Sequence, residues 1–192
     1  MKITRLAILA SGSGTNAEAI MKWVNSQESV EVVCVLSDKK NAYVLKRAEQ
    51  FKLPAIYLKK NKSESNLEYD NKILGTLKNY RPDWIILAGY MKILGPTFLK
   101  SFPMRVINIH PSLLPLHPGL NAYENAYKDG DIEAGCTIHF VDEGIDTGEI
   151  IAQRSFKRIP GESFEDFHAR GLKIENSFYP EIIQELIKRN AT

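Results

Sequence analysis

Short apolar runs rich in β-branched residues alternate with amphipathic segments of helical length through the first half of the chain, and no other feature narrows the fold so far. "TRLAILA" (4–10) reads as a buried strand, and "NAEAIMKWVNSQ" (16–27) as a helix entered through Asn16 as N-cap, with Ala19, Ile20, Trp23 and Val24 on one face. "VEVVCVLS" (30–37), "AIYL" (55–58) and "DWIILAGY" (83–90) are further strands. Between them "AYVLKRAEQFK" (42–52) and "NLEYDNKILGTLKNY" (66–80) read as helices, the second with Leu67, Ile73, Leu74 and Leu77 apolar. A turn-helix around "GPTFLKSF" (95–102) leads to a fifth strand near 105–110. Strands joined by helices of this length need crossover connections, so the pattern predicts right-handed βαβ units and a parallel sheet covered on both faces.

After Pro115 the pattern changes. "GCTIHFV" (135–141) and "GEIIAQRSFKRI" (148–159) are strand runs joined by "DEGIDT", which is too short for a helical crossover, so the two should pair antiparallel. A final amphipathic helix, roughly Ser163 to Lys188, closes the fold, with Pro180 expected to kink or break it. The expected class is α/β: a Rossmann-like, mostly parallel sheet flanked by helices, with a C-terminal antiparallel hairpin and a closing helix. Neither a repeat nor a linker interrupts the pattern, so a single domain over residues 1–192 is expected.

A chain of 192 residues, 44% hydrophobic and 25% charged, can bury one substantial core. Its 25 basic and 23 acidic side chains leave a formal net charge of +2, without the basic field that sequence-independent nucleic-acid binding requires. An anionic partner must therefore be gripped locally. The apolar run Leu6 to Ala10 is too short for a signal-peptide core, and no stretch approaches membrane-spanning length, so a cytoplasmic protein without a membrane partner is expected. Cys34 and Cys136 sit among β-branched neighbours without C-x-x-C or histidine spacing; they read as reduced core thiols, and no metal is expected.

"ILASGSGTNAEAI" places Gly12 and Gly14 between the first strand and the first helix, where backbone N–H groups at a helix start attract a phosphate. Gly12, Gly14 and Ala17 also satisfy the loose dinucleotide fingerprint, and Asp38 follows the second strand where a ribose-binding acid is sought. Lys39 and Lys40 beside it favour a solvated turn residue instead. The loop lacks a P-loop lysine, which argues against a nucleoside triphosphate, whereas a monophosphate needs this loop alone.

"RVINIHPSLLP" (105–115) buries an amide and an imidazole at a strand end. Alternation points Asn108 and His110 to one face, about 6.6 Å apart along the strand, at the C-terminal edge where open α/β sheets bind ligands. Asparagine donors and an imidazole suit an oxygen that gains negative charge. In "DEGIDTGEI", Gly144 and Gly148 bracket Asp146, which reads equally well as an Asx-turn residue or as a carboxylate brought back over the sheet edge. His139 reads as a packed strand residue, and His117, in a proline loop, receives no role.

"SGSGTN", "LAGYMKIL", "NIHPSLLP" and "HFVDEGIDTG", in this order and spacing, resemble the folate-dependent formyltransferases, and the phosphate loop resembles their glycinamide ribonucleotide branch. The resemblance implies formyl transfer from 10-formyltetrahydrofolate, as co-substrate and without a metal, to the amine of glycinamide ribonucleotide in purine synthesis, by a monomer or homodimer. It implies Asn108, His110 and Asp146 as the catalytic set. It also implies Gly14, Thr15, Asn16 and Glu175 around the ribonucleotide. Met91, Lys92, Ile93, Leu94, Asn108, Val141, Asp142, Glu143, Gly144 and Ile145 would surround the folate. A formyltetrahydrofolate hydrolase or amino-sugar formyltransferase on the same scaffold, and an NAD(P)-binding module, are the competing readings.

Overall fold

The computed structural model describes residues 3–190. Its elements are β1 (Thr4–Leu9), α1 (Thr15–Val24), β2 (Val30–Ser37), α2 (Tyr43–Gln50), β3 (Ala55–Tyr57), α3 (Asn66–Leu77), β4 (Trp84–Leu87), α4 (Pro96–Ser101), β5 (Val106–His110), α5 (Ala122–Asp129), β6 (Glu133–Phe140), β7 (Ile150–Lys157) and α6 (Phe164–Arg189). The strands follow the order β3-β2-β1-β4-β5-β6-β7 in a seven-stranded sheet. This is the expected mixed α/β architecture. By their internal contacts the residues fall into two compact units, Met1–Asn108 and Ile109–Thr192.

In the first unit every strand pairing is parallel: β1 with β2 and β4, β2 with β3, and β4 with β5. The strands β1, β2 and β4 are buried almost throughout, which is why they read as continuous apolar runs rather than alternating ones. Winding runs outward from β1 through β2 to β3, then restarts on the other side with β4 and β5. The loops leaving the C-terminal ends of β1 and β4 therefore flank a topological switch point.

Two helix faces differ from expectation. In α1 the buried side chains are Asn16, Ala17, Ile20, Met21 and Val24, so Ala19 and Trp23 stand at the margin. In α3 they are Tyr69, Asp70, Ile73 and Leu77, while Leu67 is 53% exposed. The α3 face is rotated because Asp70 turns inward to accept the Gly95 N–H at 2.7 Å. Ser65 and Glu68 close a capping box at the start of this helix.

In the second unit β6 and β7 pair antiparallel, from Glu133 opposite Lys157 to His139 opposite Ile150, as the short connection requires. An aromatic cluster of Tyr123, Phe156 and Phe167, with Ala126 and Ala134, joins α5, the hairpin and α6. The sequence reading has no helix at α5. Its signals are a helical face of Tyr123 and Ala126 and a left-handed Gly130 as C-cap, here in a helix of only eight residues. Pro180 does not break α6, which runs 26 residues through it, because Phe178, Tyr179, Pro180, Ile182 and Ile183 are all buried and tertiary packing offsets the lost hydrogen bond.

Candidate active site

The loop after β1 is built for close approach. Gly14 adopts φ 74°, and a Cβ there would lie 2.4 Å from a Val44 methyl, so only glycine fits. This left-handed residue is the N-cap, two positions before Asn16, which is buried inside α1 rather than capping it. No side chain caps α1, and the start of a helix favours an anion. From the other side α2 braces the loop: Val44 N–H donates to the Gly12 carbonyl at 3.2 Å, and Arg47 Nε to the Ser13 carbonyl at 2.9 Å while its guanidinium pairs with Glu18. Ser11, Gly12, Ser13, Lys39, Lys40 and Tyr43 line an open groove beside it.

Asp38 is not a solvated turn residue. Its side chain is 2% exposed and turns inward, accepting the Ser11 hydroxyl at 2.6 Å, with Lys92 Nζ 4.0 Å from its other oxygen. The adjacent Lys39 and Lys40 point to solvent, and their charges misled the sequence reading. A carboxylate committed to Ser11 does not serve a ribose. In the segment after β4, Met91 (60%) and Ile93 (58%) are exposed apolar side chains and Leu94 is buried.

In the first unit, Asn108 is half-buried on β5, paired in register with Leu87. His110, in the second unit, is 4% exposed. Its Nε2 lies 2.8 Å from the His117 carbonyl oxygen, which only accepts, so Nε2 carries a hydrogen. Its Nδ1 lies 3.2 Å from Asp146 Oδ2. Asp146 sits at φ 54° and accepts the Gly119 N–H at 2.8 Å, so the β6–β7 loop does carry this carboxylate to the end of β5. The Asx turn belongs instead to Asp142, which accepts the Gly144 N–H at 3.1 Å and the Thr147 hydroxyl at 2.8 Å. In that loop Val141 is half-buried, while Asp142, Glu143, Gly144 and Ile145 are exposed.

Two histidines that the sequence reading left aside complete this arrangement. His139, 2% exposed, is packed as expected, yet its Nε2 lies 3.6 Å from Asp146 Oδ1 and its Nδ1 is 2.8 Å from the Phe140 carbonyl. His117 supplies the carbonyl that orients His110, and its ring is held by Asp131 at 2.7 Å. A sequence signal existed only for His139, which shares the alternation of β6 with Thr137 and directly precedes the loop bearing Asp146.

Burial pushes the Asp146 carboxyl up, but His139, the Gly119 N–H and His110 together outweigh it and hold the group below its ordinary value. For His110 burial dominates and pulls the ring below the ordinary imidazole value, against the His117 carbonyl and Asp146. The resting pair is thus a neutral imidazole beside a carboxylate. Asp146 does favour the imidazolium, but desolvation outweighs it. A second proton on His110 would nevertheless land between two acceptors already in place.

Glu175 is buried in α6 at 4% exposure beside the Tyr123 hydroxyl, which burial and then the Glu175 charge raise far above the phenol range. Among the described residues no group of His, Cys, Asp and Glu has metal-binding geometry, and no helix is long and apolar enough to cross a membrane.

A mostly parallel sheet with a glycine loop at its switch point, and a histidine–aspartate pair at the end of a sheet strand, defines a class. The formyl transferase family model matches residues 4–183, and the chain belongs to that family of transferases. Its relatives narrow the class to one branch. It is 43% identical over 182 residues to the phosphoribosylglycinamide formyltransferase of Haemophilus influenzae, covering 94% of this chain and 85% of that one. It is 36% identical over 187 residues to the Bacillus subtilis enzyme of that name, covering 97% and 96%. The crystal structure of phosphoribosylglycinamide formyltransferase from Bacillus halodurans matches with a TM-score of 0.92 at 39% identity, covering 96% and 95%.

Proposed function

We propose that this chain is a phosphoribosylglycinamide formyltransferase, moving the formyl group of 10-formyltetrahydrofolate to the amine of glycinamide ribonucleotide in purine biosynthesis, and that residues 1–192 act as one cytoplasmic formyltransferase domain. The observation that carries this reading is the His110–Asp146 pair, 3.2 Å apart at the end of β5, in a chain that the family model spans almost completely. The ribonucleotide phosphate binds at Gly14, Thr15 and Asn16, with Glu175 serving the glycinamide part. The folate binds along Met91 to Leu94 and Val141 to Ile145.

Attack of the amine on the formyl carbon forms a C–N bond and a tetrahedral oxyanion; collapse breaks the bond to the folate nitrogen. The proton lost by the attacking nitrogen ends on the folate nitrogen. Asn108, half-buried on β5, donates to the oxyanion from its amide. His110 takes up the amine's proton on Nδ1, which stands 3.2 Å from Asp146, as this negative charge appears, and releases it toward the folate nitrogen, while the His117 carbonyl accepts from Nε2. Asp146 also orients a water that relays the amine proton.

Purified protein with 10-formyltetrahydrofolate, assayed with and without glycinamide ribonucleotide, tests the reading. Stoichiometric, acceptor-dependent formylated product is expected. Formate released without acceptor would mean a hydrolase and would overturn it. His110→Ala and Asp146→Asn should each lower kcat by about 10²–10⁴, the range of positioned acid–base groups, with folding retained.

A further inference from the structure

We propose that Asp38 is a positioning residue that ties the loop after β1 to the segment after β4, so that the two substrate loops of the first unit hold one geometry. The inference rests on the assignment of those loops to ribonucleotide and folate. Ser11, next in sequence to Gly12, stands at the junction: its backbone N–H donates to the Gly89 carbonyl at 3.0 Å, and its Oγ accepts the Met91 N–H at 2.9 Å. A serine hydroxyl turns freely and can satisfy several partners. Here Asp38 removes that freedom, since the Ser11 hydroxyl donates to Oδ1 at 2.6 Å and its lone pairs are left to face Met91. The other carboxylate oxygen draws Lys92, on the same segment, to 4.0 Å.

Burying a carboxylate to 2% side-chain exposure is costly unless its charge is used. This one has a hydroxyl from one substrate loop and an ammonium from the other. The tie acts before chemistry, so its loss should weaken binding on both sides and spare the turnover step.

The test is steady-state kinetics on the full chain with Asp38→Asn, Ser11→Ala, Lys92→Met and the double variant Asp38→Asn/Lys92→Met. Asp38→Asn keeps the side-chain shape and is expected to raise KM for both substrates about five- to twentyfold, the scale by which a hydrogen bond to a charged acceptor exceeds one to a neutral acceptor, with kcat within about threefold. Ser11→Ala should reproduce both rises and serves if the first variant folds poorly. In the double variant the folate KM should be no worse than in the worse single variant, because the two residues act through each other. A rise confined to one substrate, no rise, or additive effects would overturn the proposal. A readout independent of turnover separates its failure from that of the functional reading: in Asp38→Asn the backbone amide resonances of both Gly12 and Met91 should shift, and an unmoved Met91 amide would refute the tie even in an inactive protein.

Discussion

Asp146 holds its place against two costs, a left-handed backbone and a half-buried charge, and the groups around it explain how. His139 is the least expected of them. Replacing it with Asn removes a ring 3.6 Å from Oδ1 and the largest influence that lowers the carboxyl. The Asp146 group should then titrate higher, moving the acid limb of the kcat/KM profile to higher pH. Rate profiles of wild type and His139→Asn would check this, and coincident acid limbs would count against it. Asn108 and His110 were legible from alternation in a short strand ending at proline, a local pattern. The role of Asp38 was not, because its partner Ser11 lies 27 residues away, and those of His139 and the His117 carbonyl were not, because loop geometry that periodicity does not encode brings each to its partner.

At the scale of elements, the phosphate loop is shaped as much by α2 as by its own glycines. Gly14→Ala must place a methyl 2.4 Å from Val44 in a left-handed conformation that alone costs about 1–2 kcal/mol. Urea unfolding should register at least that loss, together with a raised KM for the ribonucleotide. At α3, Ser65→Ala removes one half of the capping box and should lower stability by about 1 kcal/mol with kinetics unchanged. Periodicity located most strands and helices, since buried parallel strands and long helices carry strong patterns. It missed α5, which is short and mixes polar and aromatic residues, and it misplaced the faces of α1 and α3, where the buried polar groups Asn16 and Asp70 interrupt the apolar stripe.

Across the whole molecule, the shifted groups give stability a definite dependence on acid. The folded-state value of His110 lies below its ordinary value of about 6.5, so the unfolded chain binds its proton first; the contribution is present above that pH and lost as pH falls through the folded value. Asp146 acts in the same direction further down, its contribution present above about pH 3.9 and lost as pH falls through its lower folded value. Calorimetry should find Tm falling from about pH 6.5 downward, with the first part of that fall absent in His110→Gln. The class of the fold was open to inspection in the alternation of runs, because topology follows from element order and connection length. Pro180 carries one further consequence. Its missing amide leaves the turn between Asn176 and Pro180 one hydrogen bond short in the middle of α6, between a stretch anchored by Phe167 and Glu175 and one anchored by Ile182, Ile183 and Leu186. A single helix in shape is therefore two segments in cooperativity, and amide hydrogens after Pro180 should exchange with solvent sooner than those around Phe167.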